Sequence, residues 1–379
     1  VIVAAVSDAR ADPRFGGYYE HTLQIDFTSS LNEQILDASK VRLDFSSGFE
    51  DNEIAVRGNV NFIHYHSHIT YSFARYLPDD VQSLLREYGA PTAYTLERSR
   101  IYLDNAFLTW EHGAVRFRAG KQQLSWGPGY SINPTDLFHR KDVIDPTYEK
   151  EGVTALRFDY RWGIGGEASL IAAPNDDFNS TGLAVRLRTH VESIGYDIAF
   201  TGHRVTDSTS FDINTLMPRE QIRYAGGLEF SGPLLGMGAW VEGNYNVMES
   251  EEDFVRAVAG LDYTLTNGAY VLGEFLFNDR GSGSKPYAVA DWLAYVIYGE
   301  PIGYGWLMLG ARKELSALTT GSAYGYVAVD GSVLLSPRLD ISIAQNADAE
   351  IFGAASFGKD GGAFAPGLYS LIARATVYF

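Results

Sequence analysis

The chain has 379 residues, with 47 acidic against 30 basic side chains, a formal net charge of −17 and no cysteine. That acidity argues against nucleic-acid partners, which need a basic footprint. Lack of Cys excludes disulfides, thiolate metal sites and covalent c-type haem attachment, and 46% hydrophobic residues exclude disorder.

No run of eighteen apolar residues occurs, which excludes a helical membrane span. The mean hydropathy of −0.11 fits a soluble protein and a barrel with a wet lumen equally. Usage of 24 Tyr and 21 Phe against 4 Met is strand-like. Val1–Val6 is apolar but too short for a signal peptide and lacks a charged start, so the numbering is expected to begin near a mature terminus.

In chain order, Tyr19–Phe27 alternates Leu23, Ile25 and Phe27 with Gln24 and Asp26. Ser29–Ser39 reads as a polar loop. Val41, Leu43 and Phe45 oppose Arg42, Asp44 and Ser46, and Glu50–Asn52 turns into Ile54–Tyr65, where Arg57, Asn59 and Asn61 share a face. Asp79–Tyr88 predicts a helix, with Asp79 as cap, Leu84 and Leu85 apolar, and Gly89 and Pro91 as stop.

The stretch Arg98–Trp162 organises the reading. Its first strand sets Ile101, Leu103 and Phe107 against Arg98, Arg100, Tyr102 and Asp104. After His112-Gly113, Val115, Phe117 and Ala119 oppose Arg116 and Arg118. Then Leu156, Phe158, Tyr160 and Trp162 oppose Arg157, Asp159 and Arg161. Strand side chains alternate with period two, and rows of arginine are too costly for a core. A polar interior within an apolar exterior fits a membrane β-barrel.

Hairpins then follow: Arg157–Trp162 with Glu167–Ala172, Leu183–His190 with Ile194–His203, Ile222–Phe230 with Ala239–Val247, and Val255–Leu265 with Ala269–Asn278. Next come Leu293–Tyr298 turning at Pro301 into Gly305–Lys313, and Tyr324–Leu334 turning at Pro337 into Leu339–Gln345. Leu368–Phe379 closes the chain, and Asp348–Gly367 reads as a long loop. The expectation is all-β: one up-and-down antiparallel transmembrane barrel over residues 1–379, with about eighteen strands, or sixteen if the first strand and a partner are lost. Short turns alternate with long loops, as two different rims require. A large soluble sandwich would show the same local alternation, but fewer arginines on its polar faces.

The last eleven residues, Tyr369–Phe379, place an apolar residue at every second position and end on Phe. This resembles the insertion signal of bacterial outer-membrane proteins. The resemblance implies an outer-membrane location in a Gram-negative-type cell, contact with lipid and lipopolysaccharide, and recognition by the barrel-assembly machinery. Gly120-Lys121-Gln122, then Trp126-Gly127-Pro128-Gly129, then Asn133-Pro134-Thr135-Asp136 is similar to a group of porin-like barrels. The Trp-Gly-Pro-Gly part also resembles outer-membrane lectins of capsule assembly. Gly127 and Gly129 around Pro128 allow a sharp reversal, and Trp126 is expected in the interfacial aromatic girdle.

Nine arginines form the expected pore-lining set: Arg98, Arg100, Arg116, Arg118, Arg157, Arg161, Arg186, Arg188 and Arg223. Acids interleave at Asp104, Asp159, Glu167, Asp197 and Glu229. This ladder reads either as ion-paired lumen filling or as a strip that guides anions. The long loop 126–152 carries Asp136, His139, Arg140, Lys141, Asp142, Asp145, Glu149 and Lys150, a set that reads either as a constriction giving a transverse field or as an external loop. His64, His66 and His68 continue an outward face and read as rim residues without a metal. The acidic loops Asp176-Asp177 and Glu249–Asp253 read as solvated charge. Ser67 lies between two histidines, but no oxyanion donor, Gly-x-Ser-x-Gly or P-loop is recognisable.

The sequence thus points to a channel for passive diffusion of small hydrophilic solutes or ions, without enzyme activity or cofactor, and monomeric, trimeric or bound to a protein partner. The alternative is a non-conducting barrel that binds capsule polysaccharide or sheathes a periplasmic or electron-transfer partner. TonB-type import is disfavoured because no plug domain precedes the first strand.

Overall fold

The computed structural model describes residues 12–27, 33–48, 53–67, 70–74, 77–89, 91–139, 151–175, 180–212, 218–283, 285–364, 367 and 369–379. The wall begins with β1 (Asp12–Phe27), β2 (Glu33–Gly48) and β3 (Ile54–Tyr65). A two-residue ladder outside the wall, β4 (Thr70–Tyr71) with β5 (Tyr94–Thr95), brackets helix α1 (Asp79–Glu87). Then come β6 (Ser99–His112), β7 (Val115–Gln122), β8 (Val153–Trp162), β9 (Gly166–Ala173), β10 (Gly182–Val191), β11 (Tyr196–Phe211), β12 (Pro218–Leu234), β13 (Met237–Met248), β14 (Phe254–Thr264) and β15 (Tyr270–Asn278). Helix α2 (Val289–Tyr298) precedes β16 (Gly305–Ser316), β17 (Thr319–Ala328), β18 (Val333–Ala344), β19 (Ala347–Phe357) and β20 (Tyr369–Tyr378).

Each wall strand pairs antiparallel with its neighbours in sequence, giving an 18-stranded sheet. β1 pairs with β20 from Tyr18↔Tyr378 to Phe27↔Tyr369, so no edge is left. Closure removes the unpaired N–H and C=O groups that lipid could not satisfy. Connections 113–114, 163–165, 192–195, 235–236, 265–269, 317–318 and 345–346 lie on one rim, where β1 starts and β20 ends. Connections 66–98, 123–152, 279–304 and 358–368 rise from the other. Short turns mark the periplasmic rim of such barrels and long loops the outer one.

Outside, Ile101, Leu183, Phe200, Leu309 and their counterparts stay exposed although apolar, while Asp159, Glu242, Asn246 and Arg223 are buried on the inner face. An apolar outer belt over a polar inner face is a transmembrane barrel, and stacked soluble layers are excluded.

The strand count matches the sequence expectation, but two errors cancel in it. Leu293–Tyr298 is not a strand; it belongs to α2, which Asp291 starts by accepting the Ala288 N–H at 3.1 Å and Gly299 ends in the left-handed region. The missed strand is β19, in the stretch expected as a loop. Pro337 is no turn but sits inside β18 opposite Ala323, and the β18–β19 register skips it. Ser29–Ser39 is not all loop, because β2 begins at Glu33. The N-cap position of helix α1 is Pro78, without a side-chain cap, and Asp79 is already its first helical residue.

Phe107 faces inward, against expectation. The β3–β6 register slips between Gly58 and Val60, which adds a residue at Asp104-Asn105 and inverts every side chain beyond it. Asn59 Oδ1 holds this bulge by accepting the N–H groups of Asp104 and Asn105, both at 3.1 Å.

The inner face is also not polar throughout. Trp240, Val258, Leu272, Leu276, Trp306, Met308, Tyr326 and Leu334 point inward as one apolar cluster. Leu77, Val81 and Leu85 of the α1 segment and Trp292, Leu293 and Ile302 of the α2 segment pack on it. Two long connections therefore fold back into the barrel and give this part of the wall a dry core.

Candidate pore and the loop folded across it

Downstream of β7, residues 124–139 run inside the barrel. Their anchors are two buried carboxylates on the wall, Glu242 of β13 and Glu274 of β15. Glu242 accepts the N–H of Gly129 at 3.0 Å and of Thr135 at 3.2 Å. Glu274 accepts the N–H of Tyr130 at 2.6 Å, the N–H of Ser131 at 2.8 Å and the indole N–H of Trp240 at 2.6 Å. The Ser131 hydroxyl also donates to Glu274. Thr135 donates its hydroxyl to Glu229 at 3.0 Å, and the Asn244 amide donates to Pro134 C=O. Tyr130 and Tyr324 share a hydroxyl hydrogen bond of 2.6 Å. A loop that leaves the wall at β7 is thus tied to β12, β13, β15 and β17, across the lumen.

The glycines follow from this latch. Gly127 has φ +88°, and a Cβ there would sit 2.3 Å from Glu242 Oε2. At Gly129 a Cβ would meet the Ile132 carbonyl oxygen at 2.2 Å. Close approach of backbone to carboxylate leaves no room for a side chain. The Asn133 amide closes the turn by donating to the carbonyls of Trp126 at 2.6 Å and Gly127 at 3.1 Å.

Trp126 is not in the aromatic girdle. It is 4% exposed inside the barrel, 5.3 Å from the His203 ring, with the Arg186 guanidinium 5.9 Å from its centroid. Asp136 serves the loop itself, accepting the N–H of Phe138 at 3.2 Å and of His139 at 3.1 Å. His139 Nε2 accepts the Leu124 N–H at 3.1 Å. These two residues are therefore structural parts of the loop, whereas Arg140, Lys141, Asp142, Asp145, Glu149 and Lys150 lie outside the described residues, as do His68 and Asp176-Asp177.

The arginines fall into distinct settings. Arg98 is exposed at the outer rim and donates to Tyr65 C=O at 3.2 Å, and Arg100 stacks over Tyr102 at 4.8 Å. Arg116 pairs with Glu111 at 2.7 Å, and Arg161 pairs with the same carboxylate. Arg157 is held by Asp159 at 2.7 Å and Glu167 at 3.5 Å. Arg186 meets Glu229, Arg188 meets Asp197 at 3.1 Å, and Arg223 meets Asp207 at 3.0 Å. Arg118 differs: its guanidinium lies over Phe107 at 5.0 Å and its Nε has no partner. It borders a cavity of about 690 Å3 that also takes in Arg14, Arg42, Arg57 and Asn105. A second inner cavity, about 520 Å3, lies at the short-turn end beside Arg338, Asp340 and Glu350.

Sequence reasoning missed Glu242 and Glu274, the two residues that hold the loop. Their signal was an acid beside large apolar inward residues: Trp240-x-Glu242 and Leu272-x-Glu274-x-Leu276.

No protein-family model and no curated protein matches the sequence. Among solved structures the chain is similar to OccAB1 of Acinetobacter baumannii, with a TM-score of 0.61 at 8% identity over 98% of each chain. It is similar to OccK9 (OpdG) of Pseudomonas aeruginosa, with 0.61 at 10% identity over 97% of this chain and 98% of that one. The OccK1 (OpdK) structure from the same organism gives 0.60 at 9%, with the same coverage. At these identities the likeness is one of fold: a closed eighteen-strand barrel of the outer-membrane porin type.

Proposed function

We propose that this protein is an outer-membrane channel through which small hydrophilic solutes diffuse passively. The observation that carries the reading is the latch of residues 124–139 onto Glu242 and Glu274. It narrows the lumen while a guanidinium-bearing inner wall from β6 to β12 stays beside it. Most of those guanidiniums are neutralised by acids on the same strand or one or two strands away, so the wall is wet and rigid without a large net field. Arg118, whose Nε has no hydrogen-bond partner among the described residues, borders the cavity and would bias passage toward anions. We read a channel, not an enzyme: Ser67, the serine weighed as a nucleophile, sits at the outer face accepting the Asp37 N–H at 2.9 Å.

A second reading is a non-conducting scaffold barrel. It is favoured by the apolar cluster that α1 and α2 build inside the wall. Reconstitution into planar bilayers separates the two. Stable single-channel steps are expected, and a folded barrel that stays silent over the voltage range would overturn the channel in favour of the scaffold.

A further inference from the structure

A polar patch interrupts the lipid-facing belt near the long-loop rim. On β1 the outward row reads Tyr19, His21, Leu23; on β2 it reads Ile35, Asp37, Ser39, Val41; on β3 it runs from Phe62 to His64. Apolar side chains thus lie both above and below His21 and Asp37 along their strands. A carboxylate and imidazoles in such a belt are expensive unless something neutralises and binds them.

The patch is also built. His66 lies just past the end of β3, yet its N–H stays bonded to the Asp37 carbonyl at 2.8 Å. The Asp37 N–H is fixed by Ser67 Oγ. Ser39 Oγ lies between the imidazoles, 3.2 Å from His21 Nδ1 and 2.8 Å from His66 Nε2. His21 Nε2 is 3.5 Å from Asp37 Oδ1, and that oxygen is shielded from solvent yet accepts no hydrogen bond. One donor atom from each of His21, Asp37 and His66 lies within 4.8 Å of the others. His64 stands behind, its ring 4.8 Å from that of His66.

We propose that His21, Asp37 and His66 form a surface site for a divalent transition ion of the zinc class. Two imidazoles and one carboxylate suit a borderline ion such as zinc(II) and leave a fourth position for water. The present spacing exceeds that of a closed tetrahedral set, so ion binding would require the His66 ring to leave Ser39 Oγ and turn toward His21 and Asp37 while its backbone stays bonded to Asp37. The bound ion would clamp β1, β2 and the end of β3 beside the β1–β20 seam. This inference is independent of whether the barrel conducts.

The test uses the full chain folded in detergent, with cobalt(II) as probe. One equivalent should bind with visible d–d absorption, be displaced by zinc(II), and raise the thermal unfolding midpoint. His21→Ala and Asp37→Asn should each weaken binding by about tenfold or more. His112→Ala, at the opposite rim beside Glu53, should change nothing. His66→Gln gives a version in which the strand ladder is untouched, should the other variants fail to fold. No absorption at saturating cobalt, or binding that survives His66→Gln undiminished, overturns the site.

Discussion

If Glu242 and Glu274 hold the inner loop, removing them should free it in a strongly non-additive way. Glu274 gives the loop two backbone acceptor contacts, to Tyr130 and Ser131, and Glu242 gives two more, to Gly129 and Thr135. A hydrogen bond to a buried carboxyl is worth about 1.5 kcal/mol net, the upper end for a neutral group and the lower end for a charged one. On that figure each carboxyl contributes roughly 3 kcal/mol to docking, and the pair roughly 6. Since about 1.4 kcal/mol is a factor of ten, roughly 3 kcal/mol still keeps the loop docked more than nine-tenths of the time. Glu274→Ala or Glu242→Ala alone should thus leave the mean conductance near that of the parent, with added brief excursions. The double variant, left with only the Thr135–Glu229, Asn244–Pro134 and Tyr130–Tyr324 ties, should populate the released state far more than either single variant, seen as larger, fluctuating steps in planar bilayers. Folding of each variant is checked by heat-modifiable migration on gels. A folded double variant with the parent's conductance and noise would refute the reasoning: the loop would then lie off the ion path or be held by other contacts.

Three more predictions test separate parts of the molecule. Asn59→Ala strips the acceptor from the two N–H groups of the β6 bulge and should cost about 1–3 kcal/mol, read as a lower urea midpoint for unfolding; an unchanged midpoint would mean that the bulge needs no cap. Arg118→Ala removes a cavity-lining guanidinium that makes no ion pair among the described residues, so the reversal potential in a salt gradient should move toward cation preference, and no movement would place Arg118 outside the ion path. Asp330, in the loop 329–332, ties loop 358–364 down by accepting the Ala363 N–H at 2.7 Å, and also accepts the Tyr287 hydroxyl at 3.0 Å. Burial pushes its carboxyl up, but hydrogen bonds from Ser332, Ala363 and Tyr287 outweigh that and hold its pKa below the ordinary Asp value. A depressed folded pKa gives stability that is present above the unfolded value and lost as pH falls through the folded one. Proteolysis of loop 358–364 should therefore rise in acid, and Asp330→Asn should flatten that dependence; a parent profile that stays flat would count against the tie.

Most of the wall was legible because period-two alternation acts over a few residues and lipid enforces it strictly. Leu156, Phe158, Tyr160 and Trp162 are exposed outside, while Arg157 and Asp159 face in, as their order predicts. Reading failed where a local signal had a second meaning. Proline suggests a turn, yet Pro337 fits inside β18 where the pairing with β19 skips a place. Leu293–Tyr298 is apolar and aromatic enough for a strand, but Asp291 and Gly299 fix a helix at its ends. Phe107 inverted because one extra residue at Asp104-Asn105 changes the phase, and no local pattern announces a bulge.

The site was less legible because it is made by chain that returns from the rim. Alternation says which residues of β13–β17 face inward, but not what they meet there. Trp240, Leu272, Leu276 and Trp306 would be misplaced in a plain aqueous pore; they are buried because α1, α2 and residues 124–139 cover them. Once the inner face is partly dry, a carboxylate in its midst must find donors, since an unpaired buried charge is costly. Glu242 and Glu274 find theirs in the backbone N–H groups of a loop whose glycines admit them. Two facts that look unrelated in the sequence, acids set beside large apolar inward residues and a Trp-Gly-Pro-Gly turn more than a hundred residues earlier, are therefore two halves of one contact, and neither half is explicable without the other.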